Sequence, residues 1–437
     1  MQEDSQDKLA AAVIARLTWR LMPFLFLLYI VAYLDRINVG FAALQMQNEL
    51  GLNDKVYGLG AGMFFAGYFF FQVPSNLILV RVGARRWICF LMIAWGVISS
   101  AMILVRGTYS FYALRFLLGL AEAGFFPGMI LYIKTWFPAV ARARTVARFM
   151  TAAPLSGVVG GPISGALLSL HHLWGLAGWQ WLFLMEGLPA VILGVVVVFF
   201  LEDSPAEAVW LSSEQRAWLL NELSREHPPE HPDEKPQLAA FRKSFIWILA
   251  LAYFSLNTAS YGISMWLPNV IHRASGINEF EIGVLSTIPY IVAAVAMVLV
   301  GLHSDQTGER RRHVAASAWV GAVALILAAF SESVAPVIAT ISIALLGVFA
   351  IMGPFWAIPT ATLSKTEAAA GIAIINSVGN LGGFVGPYVV GLIKHSTGEF
   401  RGGLLAIGCA LALSGALVLL PWVPAAIYRP ASEPATD

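Results

Sequence analysis

Residues 21–44 read LMPFLFLLYIVAYLDRINVGFAAL and predict the first membrane-spanning helix. At a rise of about 1.5 Å per residue, a helix of this length can cross the roughly 30 Å hydrocarbon core of a bilayer. Two of its residues, Asp35 and Arg36, are charged and lie well inside both ends. A charge at that depth costs at least ~2.5 kcal/mol, so such side chains normally face a protein interior or a watery cavity. The two residues are either a buried ion pair that locks helices together or part of a functional site, and a second charged pair later in the chain favours the site.

The composition indicates an integral membrane protein. The chain has 437 residues, of which 58% are hydrophobic and 12% charged, whereas a soluble domain is about 45–50% apolar and about 25% charged. A net charge of +1 gives no reason to expect a nucleic-acid partner. Cys89 and Cys409 both lie in apolar runs, so we expect no disulfide framework, metal site or cofactor.

Runs of about 20 apolar residues predict twelve membrane-spanning helices in two groups of six. The first group covers roughly 21–47, 54–80, 86–106, 108–137, 145–170 and 179–201, and the second roughly 244–271, 280–303, 313–332, 335–362, 368–394 and 401–427. We therefore expect an all-α membrane protein with six-helix bundles at 21–201 and 244–427 and a polar linker at 202–243. Within the linker, Ser212 and Gln215 have the spacing of a helix-capping box.

The distribution of Lys and Arg predicts the orientation. With the N-terminus inside, the outer segments carry five basic residues, and the inner segments carry many more. The five are Lys55, Arg106, Arg273, Lys394 and Arg401. Both tails, 1–20 and 428–437, are therefore expected to be cytoplasmic.

The two halves of the chain repeat each other. Gly83 and Gly308, in the loops after the second and eighth spans, are 225 residues apart, and so are Pro162 and Pro387 in the Gly-Pro motifs of the fifth and eleventh spans. Two unrelated landmarks with one offset indicate two halves of like topology. A binding site is then expected near the midplane between them.

The loops after the second and eighth spans, RVGARR and SDQTGERRR, resemble the loop signature of the major facilitator superfamily, and the resemblance implies that they are gating elements. Glycine permits a tight turn, and an acid at a helix end can pair with a nearby arginine. The residues are Gly83 and Arg85 in the first loop and Asp305, Gly308 and Arg310 in the second. Anchoring by positive charge on the inner side would explain the arginines but not the glycine and aspartate.

The fourth span carries the second charged pair, Arg115 and Glu122. They are seven residues apart, hence on one helix face about two turns from each other. An intramembrane glutamate is a functional candidate by default, and the alternative is a structural pair with Arg36. Two acids and two bases at matching depth are more than one ion pair that joins two helices would require.

Several polar side chains fall on otherwise apolar spans. Each alone is more often an interhelical hydrogen bond, but together around one cavity they suit a small polyhydroxylated anion. They are Tyr33, Tyr68, Tyr253, Asn257, Tyr261, Ser264, Trp356, Asn376 and Asn380.

The stretches YLDRINVGFA, RFLLGLAEAGFFPGMILYIKTWFP and GWQWLFLMEGLP resemble the anion:cation symporter family of the major facilitator superfamily. That family includes bacterial permeases for sugar acids, tartrate and phthalate. The resemblance implies that Asp35 and Glu122 carry protons and that Arg36 and Arg115 organise the site and attract a carboxylate. It also implies that Tyr33, Tyr68, Trp356 and Asn376 contact the substrate.

The chain departs from the family pattern at three positions. Val80 stands where an acid is usual, Gln180 where arginine is frequent, and Ala153 where sugar-acid members can offer an amide. The alanine weakens the case for a six-carbon sugar acid and leaves a shorter hydroxy acid, a dicarboxylate or an aromatic acid.

The expected function is proton-coupled import of a small organic anion by alternating access. The protein would act as a monomer in the inner (plasma) membrane of a bacterium, with a carboxylate, protons and lipid as its partners. An exporter or exchanger of the same fold is the alternative, and a transporter-like sensor is a more distant one. An enzyme is not expected, since the sequence contains no nucleophile–base or metal constellation.

Overall fold

A computed structural model describes residues 2–226, 242–363 and 365–423, except for the side chains of 2–5 and 365–369. The regular structure in these residues is helical, with short 3-10 turns at Met102–Leu104, Leu173–Gly175 and Pro205–Glu207. The α-helices are α1 (Gln2–Glu49), α2 (Asp54–Val82), α3 (Ala84–Ala101), α4 (Thr108–Glu122), α5 (Phe125–Trp136), α6 (Ala139–Met150), α7 (Ala152–Leu168), α8 (Gly178–Phe200), α9 (Ser213–Glu226), α10 (Ser244–Ser275), α11 (Glu279–Thr307), α12 (Arg311–Ala328), α13 (Val334–Ala350), α14 (Met352–Thr362), α15 (Lys365–Thr397) and α16 (Arg401–Val418).

The predicted twelve spans are present. In the described chain, eleven helical stretches are long and apolar enough to cross a membrane. The twelfth is α12, whose 18 residues begin with Arg311, Arg312 and His313 and are therefore less apolar on average. It packs against α13 and α16 as a span would. The all-α membrane fold with two six-helix halves is thus confirmed; we call α1–α8 the first half and α10–α16 the second half.

The segments outside the spans are described in part. The predicted tail at 1–20 is helical from Gln2 and continuous with the first span. The capping box is confirmed: Ser212 Oγ accepts from the Gln215 backbone N–H at 3.2 Å, and Gln215 Oε1 accepts from the Ser212 N–H at 3.3 Å. Residues 227–241 of the predicted linker and the tail at 428–437 lie outside the described residues.

Three spans are broken near mid-depth, and a proline causes each break. Thr108–Trp136, Ala139–Leu168 and Val334–Thr362 each consist of two helices. A proline has no N–H to give to the carbonyl four residues earlier, so the helix is interrupted at that point. The prolines and the residues whose carbonyls they leave free are Pro127 and Ala123, Pro154 and Met150, and Pro354 and Ala350.

Glycines bring the two halves together along two seams, α2 with α15 and α7 with α11. A Cβ on Gly161 would lie 2.4 Å from the Gly283 carbonyl oxygen, and one on Gly58 would lie 2.5 Å from that of Pro387. Only glycine permits backbones to approach so closely. The Gly-Pro motifs of the repeat therefore serve helix packing.

The seams close one end of the protein, which we call the closed end. It is the end at which α2 begins at Asp54, α11 begins at Glu279 and α15 finishes near Lys394. There, Lys394 Nζ lies 2.7 Å from Asp54 Oδ1 across the halves, and Gln45 Nε2 donates to Glu279 Oε1 at 3.3 Å. The opposite end is the one where α2 ends at Val82 and α11 ends at Thr307.

Candidate functional site

A cavity lies between the two halves, on the side of the seams that faces away from the closed end. Its empty space, including the mouth, is about 650 Å³. Eight of the side chains predicted to bind substrate line it: Tyr33, Arg36, Tyr68, Asn257, Tyr261, Trp356, Asn376 and Asn380. The structure therefore brings these eight positions, which come from five different helices, to one place.

Among the described residues that line the cavity, Arg36 is the one with a charged side chain. Its Nη2 pairs with Glu122 Oε1 from α4, and its Nη1 donates to the Tyr261 hydroxyl of α10 at 3.1 Å. The guanidinium carbon lies 5.4 Å from the ring centre of Tyr68 and 5.3 Å from that of Phe64. Arg36 is thus held by an acid of its own half and a phenol of the other half.

Glu122 lies behind Arg36 and does not line the cavity. It is fully buried, and its Oε2 has no hydrogen-bond partner in the described chain. The Arg36 guanidinium stands between this carboxyl and the cavity. A change in the charge of Glu122 would therefore alter the electrostatic potential of the cavity through Arg36.

Arg115 does not reach the cavity, although the sequence predicts a substrate-binding role for it. Its Nη2 donates to the Ala61 carbonyl at 3.4 Å and its guanidinium carbon lies 5.1 Å from the Phe64 ring centre. Its Nε and Nη1 have no hydrogen-bond partner among the residues described. Two helical turns, about 10 Å, displace it from Glu122 toward the closed end.

Asp35 faces away from Arg36 and from the cavity. Its Oδ1 accepts from Ser99 Oγ of α3 at 2.6 Å and from Asn38 Nδ2 at 3.3 Å. Consecutive helical residues point about 100° apart, so Asp35 and Arg36 cannot share a target. The arrangement in which each acid pairs with an arginine is therefore observed for Glu122 and not for Asp35.

The second half supplies an aromatic and amide wall. Tyr253 stacks on Phe355 with ring centres 5.3 Å apart and meets Trp356 edge to face at 5.0 Å. Asn257 uses its Nδ2 to donate to the Gly379 carbonyl at 3.1 Å, which ties α10 to α15 and leaves its Oδ1 as an acceptor. Ser264 belongs to the same stripe of α10 but lies outside the lining.

The sequence also pointed to Tyr253 and to position 153, but it did not identify the remaining lining residues. Tyr29, one turn before Tyr33, could have been found from that spacing. The apolar side chains beside the proline breaks and on the facing spans could not, because a cavity-facing methionine looks like a core or lipid-facing one. They are Phe126, Met150, Met297, Phe349 and Met352.

The second of the two predicted gating loops has the expected geometry. Arg310 Nη1 lies 2.5 Å from Asp305 Oδ1 and donates to Ser304 Oγ at 3.0 Å. Gly308 turns the chain with a φ of 68°, in the left-handed region that favours glycine.

The first loop obtains its acid from elsewhere in the chain. Val80, in the position of the missing acid, is exposed. Asp203, in the segment after α8, accepts from the Arg85 backbone N–H at 3.0 Å and lies 3.4 Å from Arg85 Nε. It also lies beside Gly83, which has a φ of 93°. Both loops thus hold an arginine with an aspartate, by different routes.

Comparison with known proteins identifies the family. The profile of the Major Facilitator Superfamily matches residues 25–387 and 249–435. A protein of Agrobacterium vitis named as a tartrate transporter is 50% identical over 95% of this chain and 92% of its own length. A quinolone resistance transporter of Acinetobacter baumannii is 42% identical over 90% of this chain and 91% of its own length.

A solved structure agrees on the fold. The crystal structure of a bacterial homologue of the human lysosomal transporter Spinster, in an inward-facing and unoccupied conformation, superposes with a TM-score of 0.77 at 18% identity. It covers 97% of this chain and 99% of that one. The twelve spans, the profile and the transporters named above lead to one conclusion: the chain belongs to the major facilitator superfamily and is a membrane transporter, not an enzyme.

Proposed function

We propose that the protein is a proton-coupled symporter that imports a small organic anion by alternating access. The observation that carries the proposal is the position of Arg36, which lines the cavity while it is held by Glu122 from its own half and Tyr261 from the other. A guanidinium is the side chain best suited to a carboxylate, because it can donate two parallel hydrogen bonds.

The mechanism follows from the exchange of partners on Arg36. With Glu122 ionised, the guanidinium is neutralised internally. When a proton neutralises Glu122, Arg36 becomes available to the carboxylate of the substrate. After the protein has rocked to the other state, release of the proton lets Glu122 reclaim Arg36 and expel the anion.

The orientation is proposed from the charges of the loops. The positive-inside rule puts both tails on the cytoplasmic side, so the closed end faces outward and the cavity faces the cytoplasm. The membrane would be the inner membrane of a bacterium, with the protein as a monomer, bundles at 21–201 and 244–427 and a linker at 202–243. The gating loops at Gly83 and Gly308 then lie at the cytoplasmic end.

The substrate class is proposed from the cavity and the relatives together. The name of the Agrobacterium vitis relative supports a short hydroxy dicarboxylate such as tartrate. Tyrosine hydroxyls and the amides of Asn376 and Asn380 can bind the hydroxyls of such an anion. The apolar side chains around Ala153 leave an aromatic carboxylate as a second possibility within the same class.

An exporter of the same fold is the second candidate. The name of the Acinetobacter baumannii relative and the apolar part of the cavity favour it. Counterflow in proteoliposomes, with and without a pH gradient, separates the two candidates. Under a gradient that is acidic outside, an importer accumulates the anion inside and an exporter does not.

Glu122→Gln tests the proposed function. A thermal-shift panel of carboxylic acids that begins with tartrate selects the probe, since a ligand at 100 times its Kd adds about 2.7 kcal/mol of stability. We expect Glu122→Gln to retain binding and counterflow but to lose proton-driven accumulation. The control is Glu281→Gln, a change of an exposed glutamate at the start of α11. Accumulation by Glu122→Gln at the rate of the unmodified protein would refute the mechanism.

A further inference from the structure

A third buried acid of the first half lies behind α1, away from the cavity. Glu186 on α8 is 5% exposed, and its Oε1 accepts from Ser164 Oγ of α7 at 2.7 Å. The amide of Asn38 on α1 donates to Asp35 Oδ1 at 3.3 Å and is within electrostatic range of the Glu186 carboxyl. Two carboxyls from different helices therefore share one amide, and neither is used in the exchange of partners on Arg36.

This cluster, Asp35, Asn38 and Glu186, has three unpartnered acceptors beside one unpartnered donor, the Trp95 Nε1–H of α3. Asp35 Oδ2, Asn38 Oδ1 and Glu186 Oε2 have no hydrogen-bond partner within the described residues, and all three side chains are at least nine-tenths buried. In the same residues, no Lys, Arg or His forms an ion pair with either carboxyl. Buried carboxylates without a cation are costly, whereas a carboxylic acid has an O–H donor. One added proton would supply a donor that the cluster lacks.

The surroundings of the cluster contain few other ionisable groups. Asp35 is within electrostatic range of Glu122 and Arg115, both from α4. From α3 the cluster is faced by the Ser99 hydroxyl and by Trp95, and from α7 by the Ser164 hydroxyl. Burial, the two serine hydroxyls and the Asn38 amide therefore act on the proton balance of the cluster together with its own two carboxyls.

We propose that Asp35 and Glu186 form a proton-binding pair, outside the substrate cavity, that takes up one proton in each transport cycle. The inference rests on the proposed proton-coupled function. The proton adds to a carboxylate oxygen of the pair from water on one side of the membrane and is released to water on the other. The ligand is thus H⁺ itself, and Glu186 is a positioning residue that acts on the helices and not on the substrate.

The location of Ser164 connects this pair to the conformational change. Ser164 lies on α7 between Gly161 and Gly165. A Cβ on Gly161 would be 2.4 Å from the Gly283 carbonyl oxygen, and one on Gly165 would be 2.7 Å from that of Glu279. These are seam contacts with α11 at the closed end. Two ionised carboxyls repel each other across Asn38, and one proton removes the repulsion. The charge state of the pair can therefore bias how α1, α7 and α8 pack and whether the closed end stays shut.

Glu186→Gln in proteoliposomes tests the proposal, because glutamine keeps the size of the side chain and an acceptor for Ser164. Uptake of the carboxylate selected by the thermal-shift panel and the accompanying proton flux, followed with a pH-sensitive dye, are measured together. We expect the accumulation ratio to fall at least about tenfold and the protons moved per substrate to fall, while the Kd and the counterflow rate stay within about twofold. Glu281→Gln is the control and should behave as the unmodified protein.

The outcomes separate the inference from the proposed function. If the unmodified protein moves substrate without protons, or if its uptake responds to Na⁺ and not to pH, both proposals are wrong. If it couples to protons and Glu186→Gln couples equally well, the inference alone is overturned. Should Glu186→Gln fail to fold, Ser164→Ala keeps both carboxyls and removes one O–H donor to the ionised form. It should then move the pH of half-maximal uptake upward by at least about 0.5, and an unchanged profile would overturn the inference.

Discussion

Arg36 and Arg115 are both buried arginines of the first half, yet only Arg36 lines the cavity. Arg36 has an acid partner in its own half and a phenol partner in the other. Arg115 has one long contact with a backbone carbonyl and two nitrogens without partners in the described chain. Burial within a membrane-spanning half therefore does not give two arginines equal access to a ligand.

The two arginines differ in whether a substrate carboxylate could replace a present partner of the guanidinium. In the proposed mechanism a substrate carboxylate replaces Glu122 on Arg36, whose guanidinium already lines the cavity. Arg115 is shielded from the cavity by α2 and Phe64. A buried cation with no acid partner is costly to hold, so Arg115 is better explained by a role in packing, or in another state of the cycle, than by binding in this one.

The largest effect is expected on removal of the guanidinium of Arg36. Since a lone Arg36 substitution would leave Glu122 without its partner, the comparison is made between Glu122→Gln and Glu122→Gln with Arg36→Gln. We expect the double variant to bind the carboxylate at least about 100-fold more weakly, because two charge-assisted hydrogen bonds of about 1.5 kcal/mol each are lost. Isothermal titration of the purified proteins measures the ratio, and equal affinities would place the carboxylate elsewhere.

A much smaller effect is expected when Arg115 is changed. Arg115→Met has a similar length and no charge, so it removes the poorly partnered guanidinium without leaving a large void. We expect the Kd to change by less than about threefold and the melting temperature to stay the same or rise, since replacing a buried charge with an apolar residue is often neutral or stabilising. A loss of binding as large as that on removal of Arg36 would show that both arginines hold the ligand.

Much of the architecture could be predicted from the sequence because a bilayer permits few kinds of secondary structure to cross it. Lipid forces every backbone group into a helix, so the apolar runs alone located the spans, and the 225-residue repeat gave the two halves. The eight predicted side chains that meet in the cavity could be identified because polar groups are costly in lipid, so those in a membrane span face the protein interior or a cavity. The sequence could also foresee that Asp305 pairs with Arg310.

The other contacts of the site could not be predicted because they depend on how each helix is rotated about its axis and positioned along it. Arg115 and Glu122 share a face of α4 in the sequence, but only Glu122 is level with Arg36. The partner of Arg85 is Asp203, far along the chain and beyond the reach of any local motif. Glu186 was part of a family stretch but had no local signal as an acid of interest, because its neighbours Asn38 and Ser164 come from two other helices.

An effect between those two is expected from removing the hydroxyl that joins Arg36 to the second half. Tyr261→Phe deletes the acceptor of the 3.1 Å bond from Arg36 Nη1 and leaves the ring in place. We expect the Kd to change by about 3- to 10-fold, because one hydrogen bond to a charged group is removed while the ion pair with Glu122 remains. Tyr57→Phe is the matched control: its hydroxyl also crosses between the halves, to the Met265 carbonyl at 2.8 Å, but at the closed end and away from Arg36. If the two variants weakened binding equally, the contact between halves, and not the presence of Arg36 in the cavity, would be what matters to the ligand.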